Sequence, residues 1–381
     1  MIKYILFFIL LLLIPDIYIW AFYTRQANSC WPTVVLLLPT VVTLACIGVS
    51  LASPGASVAM STFFALLICV AVPKLAFMLV DALALGVGRF WPAVLPWGHW
   101  GAVAVALLMA CVQVFGTCMG WKRLQVHPMT MRVYGLPRQF EGYRIVHMSD
   151  LHLGTYAKDD AFVRRVVDSV NACRPDLIVF TGDLVNTSAS EVPPYMDALK
   201  GLRARDGVVA VLGNHDYCIY GAVPHDRRAQ EVRDIVRMER EMGWRVLMNE
   251  HLVLHRGEDS LVVAGVENVS KPPFLSVGRL DDALRDVRPE ACVVLLSHDP
   301  WHWKNGVLQH KANIALTLSG HTHAMQMQIG RFSPAQWVSH EWGGLYKTGH
   351  RRIFVSTGIG GTISYRLGAW PSVECYTLVR E

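Results

Sequence analysis

Long apolar runs occupy the first third of the chain, and shorter apolar runs separated by polar turns make up the rest. Four early runs approach the roughly 20 residues that a helix needs to cross a bilayer. We predict spans at Tyr4–Tyr23, Thr33–Leu51, Val58–Val80 and Trp100–Met119. Tryptophans and tyrosines near their ends are typical of a membrane–water interface. The pattern therefore predicts a four-helix transmembrane region over residues 1–120, with a tight hairpin between Ala52 and Ser57.

Charged residues are scarce in this region. Before Trp121 they are Lys3, Asp16, Arg25, Lys74, Asp81 and Arg89. Lys74 and Asp81 lie toward a helix end, so we expect them to reach the interface and to have a structural role. Asp16 either pairs with a polar group on another span or marks a shorter, tilted helix. Since no repeated polar periodicity suggests a transport path, we interpret the region as an anchor.

An even number of spans places both chain ends on the same side of the membrane. That side would hold Lys3, Lys122, Arg123 and Arg132, and the other side would hold Arg25 and Arg89. Because cytoplasmic loops carry the excess of positive charge, we expect a multi-pass protein of the inner (cytoplasmic) membrane with a cytoplasmic C-terminal domain. The nine cysteines have no framework spacing, and we expect them to act as small buried hydrophobic residues.

Beyond a predicted basic linker at residues 121–142, strand and helix patterns alternate through residues 143–381. The predicted strands are Tyr143–Met148, Asp176–Phe180, Gly207–Leu212, Trp244–Leu247, Leu252–His255, Leu261–Gly265, Ala291–Leu296 and Ile314–Leu318. Helical periodicity predicts helices at Asp159–Cys173 and Asp226–Met242. Near-continuous apolar strands bounded by turns indicate burial on both faces, as in a layered α/β domain. We interpret the second helix, rich in both charges, as a solvated face, with a lid over an anionic substrate as the alternative.

Five short polar blocks each follow a predicted strand. They are Asp150-Leu151-His152, Gly182-Asp183, Gly213-Asn214-His215-Asp216, Ser297-His298-Asp299 and Gly320-His321-Thr322-His323. Open α/β sheets place their sites at such strand ends. The blocks hold seven side chains that can ligate divalent metals, about the number needed by two ions that share a carboxylate. Mixed oxygen and nitrogen donors without cysteine suit Mn²⁺, Fe or Zn²⁺ and argue against a structural zinc site.

The ordered set of blocks resembles that of the calcineurin-like metallophosphoesterases, over about Arg144 to Glu374. The stretches Ile145–Gly154 and Leu318–His323 are similar to the membrane-anchored bacterial branch of that family. The resemblance implies an α/β domain built as a four-layer β-sandwich flanked by helices, with two metal ions.

The resemblance also implies a role for each residue of the blocks. Asp150, His152 and His323 would bind the first metal, and Asn214, His298 and His321 the second, with Asp183 bridging both. His215 would face the scissile phosphate as a catalytic residue, held in orientation by Asp216. 

Arg366 lies between two glycine-containing turns, and we predict that it clamps a substrate phosphate. A surface arginine paired with a carboxylate is the alternative. Two stretches depart from the family pattern. Ala324-Met325-Gln326 stands where many members have Gly-Gly-Gln, and Ser372 follows Pro371 where glutamate is usual. Since neither includes a predicted ligand, they bear on specificity rather than on activity.

The combined prediction is a membrane-anchored, metal-dependent phosphoesterase that cleaves phosphodiester or pyrophosphate bonds. A lipid-linked substrate suits an anchored enzyme, and a UDP-diacylglucosamine-type lipid is one known within the family. The alternatives are a phosphomonoesterase or protein phosphatase, and a non-catalytic scaffold or a channel regulated by its soluble domain. A net charge of +5 without interleaved aromatic residues gives no indication of nucleic-acid binding. Nothing in the sequence indicates the oligomeric state.

Overall fold

The computed structural model of the chain describes residues 2–52 and 57–381. It divides into two compact units, the first comprising residues up to Gly120 with Ile363–Tyr365, and the second Trp121–Thr362 with Arg366–Glu381. Residues 53–56 of the predicted hairpin lie outside the described part of the chain.

Four apolar helices form the first unit. They are α1 (Ile2–Ile19), α2 (Trp31–Ala52), α3 (Ser57–Gly88) and α4 (Leu95–Cys118). Each lies in a stretch long and apolar enough to cross a membrane. Helix α3 extends eight residues beyond the predicted span, because Asp81, which interrupts the apolar run, has polar partners inside the unit and does not end the helix.

An ion pair connects α1 with α3 inside this unit. Lys74 donates a hydrogen bond from Nζ to Oδ1 of Asp16 at 2.5 Å, and two more to the Thr40 hydroxyl at 3.0 Å and the Leu36 carbonyl at 2.7 Å. Asp16 is buried and most of the Lys74 side chain is covered. Asp16 therefore has a partner on another helix, and Lys74 has the structural role that the sequence suggested.

A second polar cluster surrounds Asp81 on α3. The hydroxyls of Tyr18 and Tyr23 each donate to its carboxylate at 2.7 Å, and Nδ1 of His99 lies 2.5 Å from Oδ1. Asp81 is fully buried, and the side chains of Tyr18, Tyr23 and His99 surround its carboxylate. Both carboxylates in the first unit thus have partners on other helical segments, and Oδ2 of Asp16 is the buried oxygen that accepts no hydrogen bond.

The second unit contains all twelve strands and five helices of the described chain beyond Trp121. In chain order the strands are β1 (Gln125–Val133), β2 (Arg144–Met148), β3 (Leu177–Phe180), β4 (Val208–Ala210), β5 (Trp244–Val246), β6 (Glu250–Arg256), β7 (Asp259–Gly265), β8 (Val293–Leu296), β9 (Ile314–Ser319), β10 (Gly344–Thr348), β11 (Arg351–Val355) and β12 (Ser372–Arg380). The helices are α5 (Ala161–Ala172), α6 (Met196–Leu199), α7 (His225–Glu241), α8 (Leu280–Ala283) and α9 (Trp301–Asn305).

The strands form two six-stranded sheets. The first has the order β1-β12-β2-β3-β4-β5 and the second β10-β11-β9-β8-β7-β6. Strands β2 to β5 run parallel in the first sheet, as do β7, β8, β9 and β11 in the second. Their carboxyl ends therefore lie at one edge of each sheet.

Alternate residues of each strand point to opposite faces and so fill different layers of the core. In β3, Leu177 and Val179 belong to the cluster between the two sheets, whereas Ile178 and Phe180 pack with the apolar faces of α5 and α7. A third cluster joins the outer face of the second sheet to Trp303 of α9. The order helix, sheet, sheet, helix confirms the predicted four-layer sandwich.

The segment predicted as a linker contains strand β1. It pairs in parallel with β12 over nine residues, from Gln125 opposite Ser372 to Val133 opposite Arg380. The strand is not evident from the sequence because its first half is exposed and Pro128 interrupts the pattern, as is usual for an edge strand.

Cys173, which follows α5, and Cys375 of β12 form a disulfide. The expectation that every cysteine is an unpaired hydrophobic residue is thus corrected. The two are separated by 202 residues, so local spacing does not indicate the pair. The fold brings them together by placing β12 beside β2, next to α5.

Candidate metal centre

All five polar blocks begin within four residues of a strand end. Asp150 follows β2, Asp183 follows β3 and Asn214 follows β4 in the first sheet, while His298 follows β8 and His321 follows β9 in the second. Because these strands are parallel within each sheet, the blocks meet at the same end of the sandwich. The site is therefore built from both sheets.

One cluster of donors consists of Asp150, His152, Asp183 and His323. Their donor atoms all lie within 4.8 Å of one another. Nε2 of His152 is 3.2 Å from Nε2 of His323 and 3.6 Å from Oδ2 of Asp183. Three of the four residues are buried, and His323 is partly covered. This cluster contains the side chains that the resemblance assigns to the first metal.

A second cluster shares Asp183 and adds His298 and His321, again with donor atoms within 4.8 Å of one another. Oδ1 of Asn214 joins it, at 2.8 Å from Nδ1 of His321 and 3.0 Å from Nε2 of His298. The structure therefore brings all seven predicted ligands together, with Asp183 common to both groups.

Two glycines of the blocks allow the loops to approach closely. A Cβ on Gly320 would lie 1.9 Å from Oγ of Ser149 and 2.2 Å from Oδ2 of Asp150, and one on Gly213 would lie 2.2 Å from Oδ1 of Asp183. No side chain fits at such distances. Glycine at these positions is therefore what lets neighbouring loops bring the carboxylates into the site.

Five of the seven candidate ligands have left-handed backbone conformations. They are Asp150 (φ 55°), His152 (φ 48°), Asp183 (φ 59°), His321 (φ 75°) and His323 (φ 50°). Residues with a Cβ adopt this region at a cost of roughly 1 kcal/mol or more each. The surrounding hydrogen bonds and packing must therefore offset several such costs in order to direct these side chains inward.

Hydrogen bonds orient the imidazoles of the two clusters. Nδ1 of His152 lies 2.9 Å from Oδ1 of Asn186, and Nδ1 of His298 lies 2.8 Å from the carbonyl oxygen of Thr181. With Nδ1 donating in each case, the lone pair of Nε2 is free to face a metal ion. Asn186 was not predicted. The available signal was a polar residue three positions after Asp183 in the same loop.

His215 belongs to neither cluster and is partly exposed. Its Nδ1 lies 2.7 Å from the carbonyl oxygen of Asn186, and its ring stacks on Tyr220 with centroids 4.4 Å apart. The Tyr220 hydroxyl accepts a hydrogen bond from Nδ2 of Asn214 at 3.0 Å. Tyr220, also not predicted, thus contacts both the candidate catalytic histidine and a candidate ligand.

Asp216 does not orient the ring of His215 as expected. Its carboxylate accepts hydrogen bonds from the backbone N–H groups of Gly213, Asp183 and Leu184, each at 2.8 Å, and of Val185 at 3.2 Å. Burial and the nearby charge of Asp183 raise the pKa of Asp216 to about 7. Asp216 therefore connects two ligand-bearing loops, and the backbone of Asn186 holds His215.

Arg366 is buried. Its contacts match neither the predicted phosphate clamp nor the alternative of a surface arginine paired with a carboxylate. Its guanidinium donates to the backbone carbonyls of Thr357 at 2.7 Å, Ala369 at 3.1 Å and Gly358 at 3.3 Å, and also to that of Gly360. Burial lowers its pKa to about 10. Because these carbonyls already engage the guanidinium, Arg366 supports the loop beside His323 rather than presenting a free phosphate clamp.

The buried charges of the site set the protonation of its ligands. Burial alone would raise the pKa of Asp183, but His298 and His215 hold it well below its usual range. Burial would lower the pKa of His298, yet the charge of Asp183 raises it to about 10. Burial and His215 lower the pKa of His152 to about 3, and burial also lowers that of His323. Ionised Asp183 beside neutral His152 and His323 is the state that metal binding requires, whereas His298 must release its proton when a metal ion binds.

Helix α7 matches the interpretation as a solvated charged face. Arg237 forms ion pairs with Asp234 at 2.9 Å and Glu241 at 3.1 Å on its exposed side. On the opposite side, Ile235 and Val236 are buried in the core against the first sheet. Since the helix is an integral layer of the sandwich, the alternative of a mobile lid is not supported.

Comparisons with known proteins show which family and which relatives this chain is similar to. The family model for calcineurin-like phosphoesterases matches residues 143–325. The chain is 29% identical over 265 residues to a transmembrane protein with metallophosphoesterase domain from Danio rerio, which covers 68% of this chain and 58% of that protein. It is 28% identical over 299 residues to the uncharacterized metallophosphoesterase YkuE of Bacillus subtilis, covering 74% and 95%.

A third relative has a named substrate. The chain is 24% identical over 306 residues to the UDP-2,3-diacylglucosamine pyrophosphatase LpxG of Chlamydia trachomatis, covering 65% of this chain and 89% of that one. The chain spans less than two thirds of the length of the Danio rerio relative.

Proposed function

Because residues 143–325 match the family model for calcineurin-like phosphoesterases, we propose that the chain is a membrane-bound hydrolase that cleaves phosphodiester or pyrophosphate bonds with two divalent metal ions. The observation that supports this most strongly is the pair of donor clusters with Asp183 in common. Two ions that act on one phosphoryl group need adjacent sites and a shared ligand, and this arrangement supplies both.

The donor atoms of the two clusters are of the types that bind divalent metal ions. Each cluster combines carboxylate or amide oxygens with imidazole nitrogens, and no cysteine is among them. Such mixed donors suit Mn²⁺, Fe or Zn²⁺. We propose that Asp150, His152 and His323 hold one ion, that Asn214, His298 and His321 hold the other, and that Asp183 bridges them. When bound, such ions lower the pKa of water and offset negative charge on phosphoryl oxygens.

His215 is the candidate for proton transfer. Its Nδ1 is engaged by the Asn186 carbonyl, so Nε2 is the nitrogen left to act on substrate. From a partly exposed position beside both clusters, it could donate a proton to the leaving oxygen or stabilise charge that develops there. Stacking on Tyr220 restricts the ring to one orientation. We therefore assign catalytic contact to His215, and to Asp216 the positioning of the two ligand-bearing loops whose backbone N–H groups it accepts from.

An enzyme that is anchored in a membrane meets its substrate most readily when the substrate is also held in the bilayer. Four candidate spans support the anchor, and LpxG acts on a nucleotide-linked acylated sugar by its name. We propose a lipid-linked pyrophosphate or phosphodiester as the substrate class, with a UDP-diacylglucosamine-type lipid as the first compound to test. Detergent-solubilised protein with Mn²⁺ should release a nucleoside monophosphate from it. No release with Mn²⁺, Fe²⁺ or Zn²⁺ would refute this substrate.

The bridging carboxylate offers a direct test of the reaction class. Asp183→Asn should lose bound metal and turnover together, by more than the roughly 10–100-fold typical of changes outside the ligand shell. Asp168→Asn on the exposed side of α5 is the matched control and should retain both. Metal content by mass spectrometry and hydrolysis of bis(p-nitrophenyl) phosphate give the two readouts. A wild-type chain with metal but no hydrolysis of any phosphoester would instead indicate a scaffold.

A further inference from the structure

One stretch of the second unit exposes an unusual number of large apolar side chains. Within residues 325–338, which we call the 325–338 segment, the exposed ones are Met325 (53%), Ile329 (66%), Phe332 (40%), Trp337 (76%) and Val338 (77%). A soluble surface carries such residues singly, and a contiguous group indicates a binding partner.

The 325–338 segment is held in place by its backbone. Ile329 and Phe332 exchange two backbone hydrogen bonds, at 2.8 and 3.0 Å, around the turn at Gly330. The hydroxyl of the fully buried Ser333 donates to the carbonyl of Ala324 at 2.6 Å and accepts from the N–H of Ala335 at 3.1 Å. The apolar side chains are therefore presented outward by an ordered scaffold.

The composition of this surface suits a lipid bilayer. Phe332 and Trp337 pack edge to face with ring centroids 5.5 Å apart, and Arg331 is exposed beside them. The segment contains no acidic residue. Aromatic rings combined with a cation are favoured where acyl chains meet anionic head groups. Since the same chain has four helices able to cross a membrane, the second unit is tethered to a bilayer.

We propose that the 325–338 segment inserts its apolar side chains into the bilayer interface. The segment begins two residues after the candidate ligand His323, and backbone hydrogen bonds tie it to the loop of Arg366: Gln328 donates to Leu367 at 2.8 Å, and Leu367 to Gln326 at 2.9 Å. Lipid contact would therefore be made by the loop that carries a ligand of the site. This inference rests on exposure and composition and does not require the proposed activity.

Photolabelling with lipid tests the proposal without reference to catalysis. The full chain is reconstituted in vesicles of phosphatidylethanolamine and phosphatidylglycerol that contain a phospholipid with a diazirine in its acyl chain. After irradiation, mass spectrometry locates the labelled peptides. We expect the peptide with Trp337 and Val338 to be labelled several-fold more than the peptide with Phe274 and Val277, which are also exposed apolar residues of this unit.

A Trp337→Ser/Val338→Ser variant should reduce labelling of the segment several-fold and leave labelling of the four apolar helices unchanged. Phe274→Ser/Val277→Ser is the matched control and should change neither, and an unchanged melting temperature shows that both variants fold. Labelling of the segment no stronger than that of the Phe274 peptide would overturn the proposal.

Discussion

Asn186 positions two histidines with different roles through different atoms. Its side-chain oxygen lies 2.9 Å from Nδ1 of His152, and its backbone oxygen lies 2.7 Å from Nδ1 of His215. A substitution therefore removes the first contact and leaves the second in place. This separation makes the residue a useful probe of how ligand orientation affects metal binding.

Asn186→Leu should weaken metal binding about 10–100-fold, because His152 then loses the acceptor that fixes its ring. Titration of metal-free protein with Mn²⁺ by calorimetry measures the change. Asn186→Asp keeps an acceptor at this position and should bind within a few-fold of wild type. Equal affinity of the leucine variant and wild type would show that packing alone orients His152.

Glu374 provides a pH-dependent test at a second residue. Burial raises its pKa to about 7, although Ser372 donates to its Oε1 at 2.5 Å. The unfolded chain ionises near the ordinary value of about 4.3, so the folded protein loses stability as the pH rises through this window. Above pH 7 the cost is fully present, and it amounts to at most about 4 kcal/mol.

Glu374→Gln does not titrate, so its stability relative to wild type should increase between about pH 4.5 and pH 7 and then level off. Urea unfolding of metal-free protein at several pH values measures this difference. Glu258→Gln, at an exposed position, is the control and should give a constant offset. A difference for Glu374→Gln that is constant with pH would contradict the raised pKa.

At the scale of elements, the ion pair between Asp16 of α1 and Lys74 of α3 is the connection that a single substitution tests best. Lys74→Met should destabilise the first unit by about 3 kcal/mol, because it leaves a buried carboxylate without its cation. Asp16→Asn/Lys74→Met removes both charges and should recover most of that loss. Thermal unfolding in detergent compares them, and a double variant no better than the single would argue that the pair adds little.

The elements most evident from sequence are those whose apolar residues are buried on both faces. Strands β3 and β8 were predicted to within two residues for that reason. Strands β1 and β10 were not, since these two edge strands are largely exposed and carry polar residues. Strand β12 pairs with β1 and β2, more than 200 positions away in sequence, and its inward Glu374 breaks the apolar pattern. Such strands depend on tertiary partners that local periodicity does not contain.

The same distinction applies to the site. The polar blocks could be found because each follows an apolar strand, and their convergence follows from parallel pairing. The contacts of Asp216 and Arg366 could not be found, because their partners are backbone N–H and carbonyl groups. Backbone atoms are the same for every residue type, so the sequence does not identify them as partners. Side-chain identity therefore indicates which residues form the site. It does not indicate the backbone hydrogen bonds that hold them in place.

At the scale of the whole molecule, two features bear in opposite directions on the side of the membrane that holds the catalytic unit. The positive residues flanking the first and fourth helices favour the cytoplasm, whereas the disulfide between Cys173 and Cys375 is typical of an oxidising compartment. We propose the cytoplasmic orientation. A C-terminal green fluorescent protein fusion should then fluoresce, and a C-terminal alkaline phosphatase fusion should be inactive.

The reverse pattern of reporter activity would place the catalytic unit outside the cytoplasm, where the disulfide would persist. A fusion at Arg25, between the first two helices, serves as the internal control because it must report the opposite side from the C-terminus when four helices span the membrane. Agreement of the two fusions would mean that an even number of spans separates Arg25 from the C-terminus, and would contradict the four-span topology.

The left-handed backbone at five candidate ligands has an evolutionary consequence. Asparagine or glycine at Asp150, His152 or Asp183 would relieve an unfavourable conformation, so pressure for folding alone would favour replacing these residues. A lineage that no longer needed hydrolysis should therefore lose them early and keep the sandwich. Their joint presence in one chain is what we expect where selection for chemistry has outweighed selection for stability.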